Sequence, residues 1–113
     1  MSKILSLLGL CRRAGKLSSG FDSTMEALKK PIAKLVVVSK EISPKTLENI
    51  EFNAKKVNVP LIIIDEDILE ISKAIGKKAG VLAVTSKDFA KGIHDAYKKE
   101  ISQTRKDDCN YDD

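Results

Sequence analysis

The chain has 113 residues, of which 42% are hydrophobic and only 4% aromatic, and its formal net charge is +4. This length suits a single domain with an aliphatic core, and the apolar content excludes a chain that is disordered throughout. No apolar run is long enough to cross a membrane. The basic residues of the N-terminus follow its short apolar stretch, whereas a signal peptide has them before it, so we expect a cytoplasmic protein.

Hydrophobic periodicity predicts helices that alternate with short apolar strands. The expected elements, in chain order, are a helix over about residues 2–14, an extended segment at 16–18, a helix over about 21–30, a strand at 35–39, a helix that Ser43 caps, a strand at 61–64, a helix that residues 65–67 open, a strand at 81–85 and a helix that Ser86 caps. The three longer strands are apolar at successive positions, which is typical of strands covered on both faces. This order predicts an α/β fold, a three-layer α/β/α sandwich with a small mixed four-stranded sheet, over residues 1–101.

The positive charge lies in the body of the chain rather than at its C-terminus. Residues 102–113 carry a net charge of −2 and read as a polar tail that we expect to be disordered, so the preceding body carries +6. Residues 1–16 contain four basic groups and no acidic one. A basic body is the expected footprint of a phosphate-binding surface, although many ordinary domains are mildly basic as well.

The first candidate site is the helix start from Gly20 to Glu26. Unpaired N–H groups and a partial positive charge at a helix N-terminus suit phosphate or base acceptors, and a glycine lets another backbone approach closely. The alternative is structural, because Ser23 and Glu26 have the S-x-x-E spacing of a capping box, which needs no ligand.

The second candidate site is the loop Gly76–Gly80. Lys77 and Lys78 lie between glycines and can reach phosphates, while the backbone and the small residues fit against a groove. The alternative is an ordinary helix C-cap, in which a glycine follows the helix and cations are favoured by the helix dipole.

A third set of candidates consists of Arg12, Arg13 and Lys16, together with Lys40. These residues can contact phosphates. Basic groups are also favoured in the last turn of any helix, so a solvated helix end explains the first three equally well.

Other features argue against catalysis. His94 is the only histidine, and its place beside the apolar stripe of the last helix indicates surface packing. Cys11 and Cys109 lack metal-ligand spacing, so a zinc site is not expected. A magnesium-dependent enzyme that uses Asp65 and Asp67 stays an alternative, although the helix dipole commonly explains acidic residues in a first turn. The common nucleotide-binding and hydrolase motifs do not occur in the sequence.

Four segments carry a resemblance to a known family: RRAGKLSSG at 12–20, FDSTMEALKK at 21–30, IAKLVVVSKEIS at 32–43 and SKAIGKKAGVLAV at 72–84. In this order they resemble the L7Ae/L30e ribosomal protein family of kink-turn RNA binders, over about residues 3–95. The RAGKL-x-x-G opening points to the bacterial YlxQ-like branch of that family. The resemblance implies an α/β/α sandwich that binds an RNA helix sharply bent by an internal loop with sheared G·A pairs.

The resemblance also implies which residues contact RNA. In well-studied members the second helix opens with Gly-x-Asn-Glu-x-x-Lys, whose polar side chains contact guanines of the bent RNA. Gly20 matches the glycine of this motif. Asp22 stands at the asparagine position, Ser23 at the glutamate position and Glu26 at the lysine position, so three of the four key positions differ. The loop before the last strand keeps its small, basic and apolar character.

We therefore interpret the chain as a small non-enzymatic RNA-binding protein, a monomer that binds structured RNA such as a kink-turn in a ribosome or translation context. The RNA-binding residues in this interpretation are Arg12, Arg13, Lys16, Gly20, Asp22, Ser23, Glu26, Lys40, Lys77, Lys78, Ala79, Gly80 and Val81. We expect no catalytic residue, metal, cofactor or membrane partner. The alternative is a protein-interaction module on the same scaffold with weak or no RNA binding, because some relatives bind proteins instead.

Overall fold

The computed structural model describes the backbone of residues 2–112 and the side chains of residues 2–101. Its elements, in chain order, are α1 (Lys3–Arg13), β1 (Leu17–Ser19), α2 (Phe21–Lys29), β2 (Leu35–Ser39), α3 (Pro44–Lys56), β3 (Leu61–Ile64), α4 (Ile68–Ile75), β4 (Val81–Val84) and α5 (Lys87–Asp112). The predicted order of helices and strands is confirmed. The expected polar tail, residues 102–113, lies outside the described side chains, so the domain boundary at residue 101 stays a prediction.

The helix ends follow local rules that the sequence already indicates. The Ser43 hydroxyl accepts from the Thr46 N–H at 3.2 Å, and Pro44 occupies the first turn of α3. The Ser86 hydroxyl accepts from the Phe89 N–H at 3.4 Å at the start of α5. Both predicted caps are therefore confirmed.

The four strands form one mixed sheet in the order β1-β4-β2-β3. Strand β4 runs antiparallel to both β1 and β2, while β2 and β3 are parallel. Strand β3 is therefore an edge strand, and its Ile63 is 40% exposed. The expectation that residues 61–64 are covered on both faces is therefore wrong for Ile63. An apolar run does not show whether a strand lies in the centre or at the edge of a sheet.

Helices cover both faces of the sheet and make the three-layer sandwich. On one face α1, α4 and α5 pack on side chains such as Val37 and Leu82. On the other face α2 and α3 pack on Val36, Val38 and Ala83. Successive strand residues point to opposite faces, so each central strand contributes to both cores. Within residues 2–112, no helix combines the length and the apolar composition needed to cross a membrane.

The topology sorts the loops to two ends of the sheet. Strands β1, β2 and β3 all end, and β4 begins, at one end, which we call the site end. The residues that follow or precede the strands there are Gly20, Lys40, Asp65 and Gly80. The other end, which we call the far end, is where β2 and β3 begin and β4 finishes. Both predicted loops therefore meet at the site end.

Candidate nucleic-acid interface

Gly20 joins the two candidate segments directly. Its N–H donates to the Val81 carbonyl at 2.8 Å, which fixes the start of α2 beside the start of β4. Its backbone has φ 102° and ψ 162°, a region that only glycine adopts readily. A Cβ at this position would meet no atom within 4 Å. Glycine is therefore required by the backbone conformation rather than by close approach of a neighbour, which corrects the reason that we inferred from the sequence.

The first turn of α2 presents its polar groups to solvent. Gly20 is the N-cap, and among the described residues no side chain caps this turn. Asp22 and Ser23 are exposed. The helix begins at Phe21, two residues before Ser23, so Ser23 cannot serve as its N-cap, and the capping-box interpretation is wrong. The N–H groups that no side chain caps and the two exposed side chains are therefore accessible to a ligand.

Glu26 is engaged one turn further along the helix. Its carboxylate accepts from Lys30 Nζ at 2.8 Å, an exposed pair at i and i+4. The hydrogen bond from Lys30, with the charges of Lys30 and Lys29, holds the pKa of Glu26 below its ordinary value. The negative charge that this residue brings to the helix is therefore matched by a lysine that the sequence analysis did not single out. The i, i+4 spacing is the signal that identifies such a pair.

The loop Gly76–Gly80 combines a helix cap with two free cations. Gly76 has φ 73°, and its N–H donates to the Ser72 carbonyl at 2.8 Å, so the C-cap interpretation of this glycine is confirmed. Lys77 and Lys78 are exposed, and neither takes part in an ion pair with another described residue. The cap and the cationic surface therefore coexist in the same loop.

The small residues of this loop face inward. Ala79 is 6% exposed and Val81 4% exposed, and each belongs to one of the two cores. A Cβ on Gly80 would lie 3.0 Å from Ile42 Cγ2 and 3.2 Å from Ile68 Cδ1, so a side chain there would require these isoleucines to shift by a few tenths of an ångström. Any contact of Ala79 or Val81 with RNA would therefore go through the backbone, and their assignment stays a prediction.

Of the third set of candidates, Arg12 lies beside the loop and Lys16 does not. The Arg12 guanidinium is 3.8 Å from the position of a Cβ on Gly76. The close crossing of α1 and α4 explains this, because a Cβ on Gly9 would lie only 3.0 Å from the Ala74 carbonyl oxygen. The Lys16 carbonyl accepts from the Thr85 N–H at 2.9 Å, at the far end. Arg13 is exposed in the last turn of α1.

Lys40 marks the acidic side of the site end. Its Nζ lies 3.4 Å from Asp65 Oδ1, and both groups are well exposed, so solvent weakens the pair. Beyond Lys40, partial burial raises the pKa of Glu100, and the negative charges of Glu66 and Asp65 raise it further. The site end is therefore polarised, with unpaired cations and the α2 terminus near β4 and carboxylates near β3.

The acidic residues 65–67 act in the fold. The Asp67 carboxylate accepts from the Glu70 N–H at 2.7 Å, and the Glu70 carboxylate accepts from the Asp67 N–H at 3.0 Å, which is a full capping box. Glu41 adds a bond to the Ile68 N–H at 2.8 Å. Among the described residues, no three His, Cys, Asp or Glu side chains are grouped so that they could hold a metal ion.

Comparison with known proteins gives consistent results. The model of the ribosomal protein L7Ae/L30e/S12e/Gadd45 family matches residues 2–94. The chain is 32% identical over 89 residues to the RNA-binding protein YlxQ of Enterococcus faecium, covering 79% of this chain and 85% of that protein. It is 33% identical over 85 residues to the RNA-binding protein YlxQ of Bacillus subtilis, covering 74% and 84%.

Solved structures share the same fold. A protein of unknown function from Bacillus halodurans superposes with a TM-score of 0.81 at 25% identity, over 85% of this chain and 97% of that one. The Giardia lamblia 15.5 kD RNA binding protein superposes with a TM-score of 0.71 at 13% identity, over 84% and 82%. The match of the family model over most of the chain, the identity to YlxQ and the common fold show that this chain belongs to the ribosomal protein L7Ae/L30e/S12e/Gadd45 family.

Proposed function

We propose that the chain is a small, non-enzymatic RNA-binding protein that binds kink-turn or related structured RNA in a ribosome or translation context, as a monomer in the cytoplasm. Family membership and the two YlxQ relatives, which are named RNA-binding proteins, support RNA as the partner. The observation that carries the proposal is the hydrogen bond from Gly20 to Val81. It holds the uncapped first turn of α2 beside the loop that contains Lys77 and Lys78.

This arrangement offers two kinds of contact to a bent RNA. The exposed N–H groups and short side chains at Asp22 and Ser23 can bond to the polar edges of unpaired bases, which supply sequence preference in RNA. Lys77, Lys78 and Arg12 can contact the phosphates, which supply affinity that depends on salt. The RNA would approach from the β4 side of the site end, because the β3 side carries carboxylates.

The differences from the family motif predict weaker binding than in relatives that keep it. Asp22 can accept from a guanine N–H but cannot donate to O6 as an asparagine does. Ser23 is too short for the reach of a glutamate. Glu26 places an anion where the motif has a cation, but Lys30 offsets its charge at 2.8 Å. The backbone of the site is thus retained, while its side chains can make fewer hydrogen bonds to the bases of the RNA than the family motif does.

The test is a titration of a labelled kink-turn RNA, beside an unbent duplex of equal length, at two salt concentrations. We expect a preference for the kink-turn at both. The variant Lys77→Ala/Lys78→Ala should bind less tightly and show a salt slope that is shallower by about 1.8, at the duplex value per phosphate contact. The matched control is Lys55→Ala/Lys56→Ala in the last turn of α3, which removes the same charge at the far end.

Each outcome has a distinct meaning. Equal binding of bent and unbent RNA would contradict kink-turn recognition and leave a basic protein that binds RNA without reading the bend. An unchanged slope in the loop variant would remove both lysines from the interface. Absence of binding to either RNA would contradict the proposal and favour the protein-interaction module.

A further inference from the structure

A second basic surface lies at the far end of the sheet, on the side of α5. It is an open groove of about 520 Å³, and its floor and walls include Leu35, Pro60 and Ala90. The charged and polar side chains that line it are Lys34, Lys87, Lys91, His94 and Asp95. Three lysines therefore surround an apolar floor and face a single carboxylate. None of these residues belongs to the surface proposed above.

Backbone hydrogen bonds position one wall of this groove. The Lys34 N–H donates to the Val84 carbonyl at 2.7 Å, and the Val36 N–H donates to the Pro60 carbonyl at 2.9 Å, which fixes the start of β2 between β4 and the lead into β3. The opposite wall is one face of α5. Lys87, Lys91 and His94 recur there at steps of four and three, so they project from the same side of the helix.

The lysines of the groove outnumber Asp95, its one carboxylate, by three to one. Among the described side chains, the two ion pairs join Lys30 to Glu26 and Lys40 to Asp65, and neither includes a groove lysine. Lys87 and Lys91 stand four residues apart, where like charges destabilise a helix, and Asp95, four residues after Lys91, offsets only part of this charge. A bound anion would relieve this repulsion. The Lys16 backbone lies at the same end of the sheet, about 10 Å from Lys34 across two strand spacings.

We propose that this groove binds a single-stranded segment of RNA, so that the protein holds two RNA elements at opposite ends of its sheet. Lys34, Lys87 and Lys91 contact the phosphates, and the half-buried imidazole of His94 stacks on a base over the apolar floor. Binding of a single strand by a cationic groove with a stacking platform is the general mode for such ligands. A duplex does not fit this description, because its bases are already stacked inside the helix.

The separation of the two surfaces makes simultaneous binding possible. Strand β2 crosses from the groove at Leu35 to the site end at Ser39, about 13 Å at 3.3 Å per residue. Because of this distance, one phosphate cannot contact both surfaces. The inference accepts the proposed function of the site end but places a different RNA element in the groove.

The test uses a labelled ten-nucleotide oligouridylate and the full chain, with and without saturating unlabelled kink-turn RNA of short stems. We expect the oligouridylate to bind in both conditions. Lys87→Ala/Lys91→Ala should weaken binding about 25-fold at 0.1 M salt, little at 1 M, and make the salt slope shallower by about 1.4, at 0.7 per lost phosphate contact. Lys55→Ala/Lys56→Ala should stay within about twofold of the unmodified chain.

His94→Ala separates stacking from charge. It should weaken oligouridylate binding while the salt slope stays the same, because a stacked base releases no counterion. Displacement of the oligouridylate by kink-turn RNA would overturn the proposal, since it would mean one shared surface. Equal losses in the two double variants, or no binding at low salt, would overturn it as well.

Two competitors test the identity of the ligand. If uridine monophosphate displaces the labelled oligouridylate at the same phosphate concentration, the groove binds free nucleotides. If polyglutamate displaces it equally well, the groove binds acidic protein segments. Either result would overturn the RNA assignment. If kink-turn RNA itself fails to bind, the arm without it still tests the groove. The failure of the two proposals can therefore be distinguished.

Discussion

The conformation of Gly20 makes a specific prediction about the stability of the domain. Replacement by alanine introduces a Cβ that meets no atom within 4 Å, so the change adds no steric overlap. The cost is instead the backbone strain at φ 102° and ψ 162°, on the order of 1–3 kcal/mol. Alanine also restricts the unfolded chain, which offsets about 0.4–1 kcal/mol of this.

We therefore expect Gly20→Ala to lower the free energy of unfolding by about 1–2 kcal/mol, which corresponds to a fall in Tm of about 4–16 °C. Gly15→Ala is the matched control. Its φ of 73° is left-handed but accessible to other residues, and its Cβ would also meet nothing. We expect the control to lose less, because its conformation is less restricted to glycine.

Urea unfolding at equilibrium measures both variants, and RNA titration adds a second readout. Because strain at residue 20 competes with the 2.8 Å bond to Val81, Gly20→Ala should also weaken kink-turn binding, whereas Gly15→Ala should leave it nearly unchanged. If Gly20→Ala were as stable as the unmodified chain, or no less stable than Gly15→Ala, the argument from backbone conformation would be refuted.

Three further predictions concern single side chains. Glu26→Lys should tighten kink-turn binding in the titration above, since it replaces an anion by the cation of the family motif; weaker or unchanged binding would contradict the placement of α2 against RNA. Thr24→Val should raise the free energy of unfolding by about 1 kcal/mol, because the buried Thr24 hydroxyl has no hydrogen-bond partner among the described residues, and a loss of stability would show that it has one. Burial raises the pKa of Cys11 to about 11, so in a Cys109→Ser chain this thiol should react with a disulfide reagent at pH 8 only after unfolding. The raised pKa of Cys11 also makes stability depend on pH. Because the thiol pKa is raised from its ordinary value of 9.0 to about 11 in the folded chain, the contribution of Cys11 to the free energy of unfolding is complete below pH 9.0 and is lost as the pH rises toward 11. Reaction of the native protein at the rate of the unfolded chain would contradict the burial.

Much of the fold could be predicted from the sequence because its signals are local. The apolar run at 35–39 and the stop at Pro31 depend only on neighbouring residues, and the bounds of β2 and α2 agree with them within one residue. The caps at Ser43 and Ser86 follow from the same short-range chemistry. Each of these signals acts within a few residues of the chain, so no knowledge of the tertiary structure is needed.

The candidate site shows the same difference between local signals, which the sequence contains, and long-range packing, which it does not. Gly20, Lys77 and Lys78, on which the proposal rests, could be selected as candidates from the sequence, because glycines and lysines in predicted loops are visible there. The inward direction of Ala79 and Val81 could not, because it depends on how β4 is inserted between β1 and β2. The Ser23 capping box was wrong for a similar reason, since the backbone of Gly20 starts the helix earlier than the spacing suggested.

Only the tertiary structure decided which charges share a surface. The strand order places Lys16 at the far end and pairs Lys40 with Asp65, although the sequence analysis predicted both lysines as phosphate contacts of one surface. It also brings Lys34 to the face of α5 that carries Lys87, more than fifty residues away, and so forms the groove. By itself the sequence determined the elements, their order and an excess of positive charge, because these follow from composition and short-range periodicity. The distribution of that charge between two ends of the sheet follows from strand pairing, which is long-range.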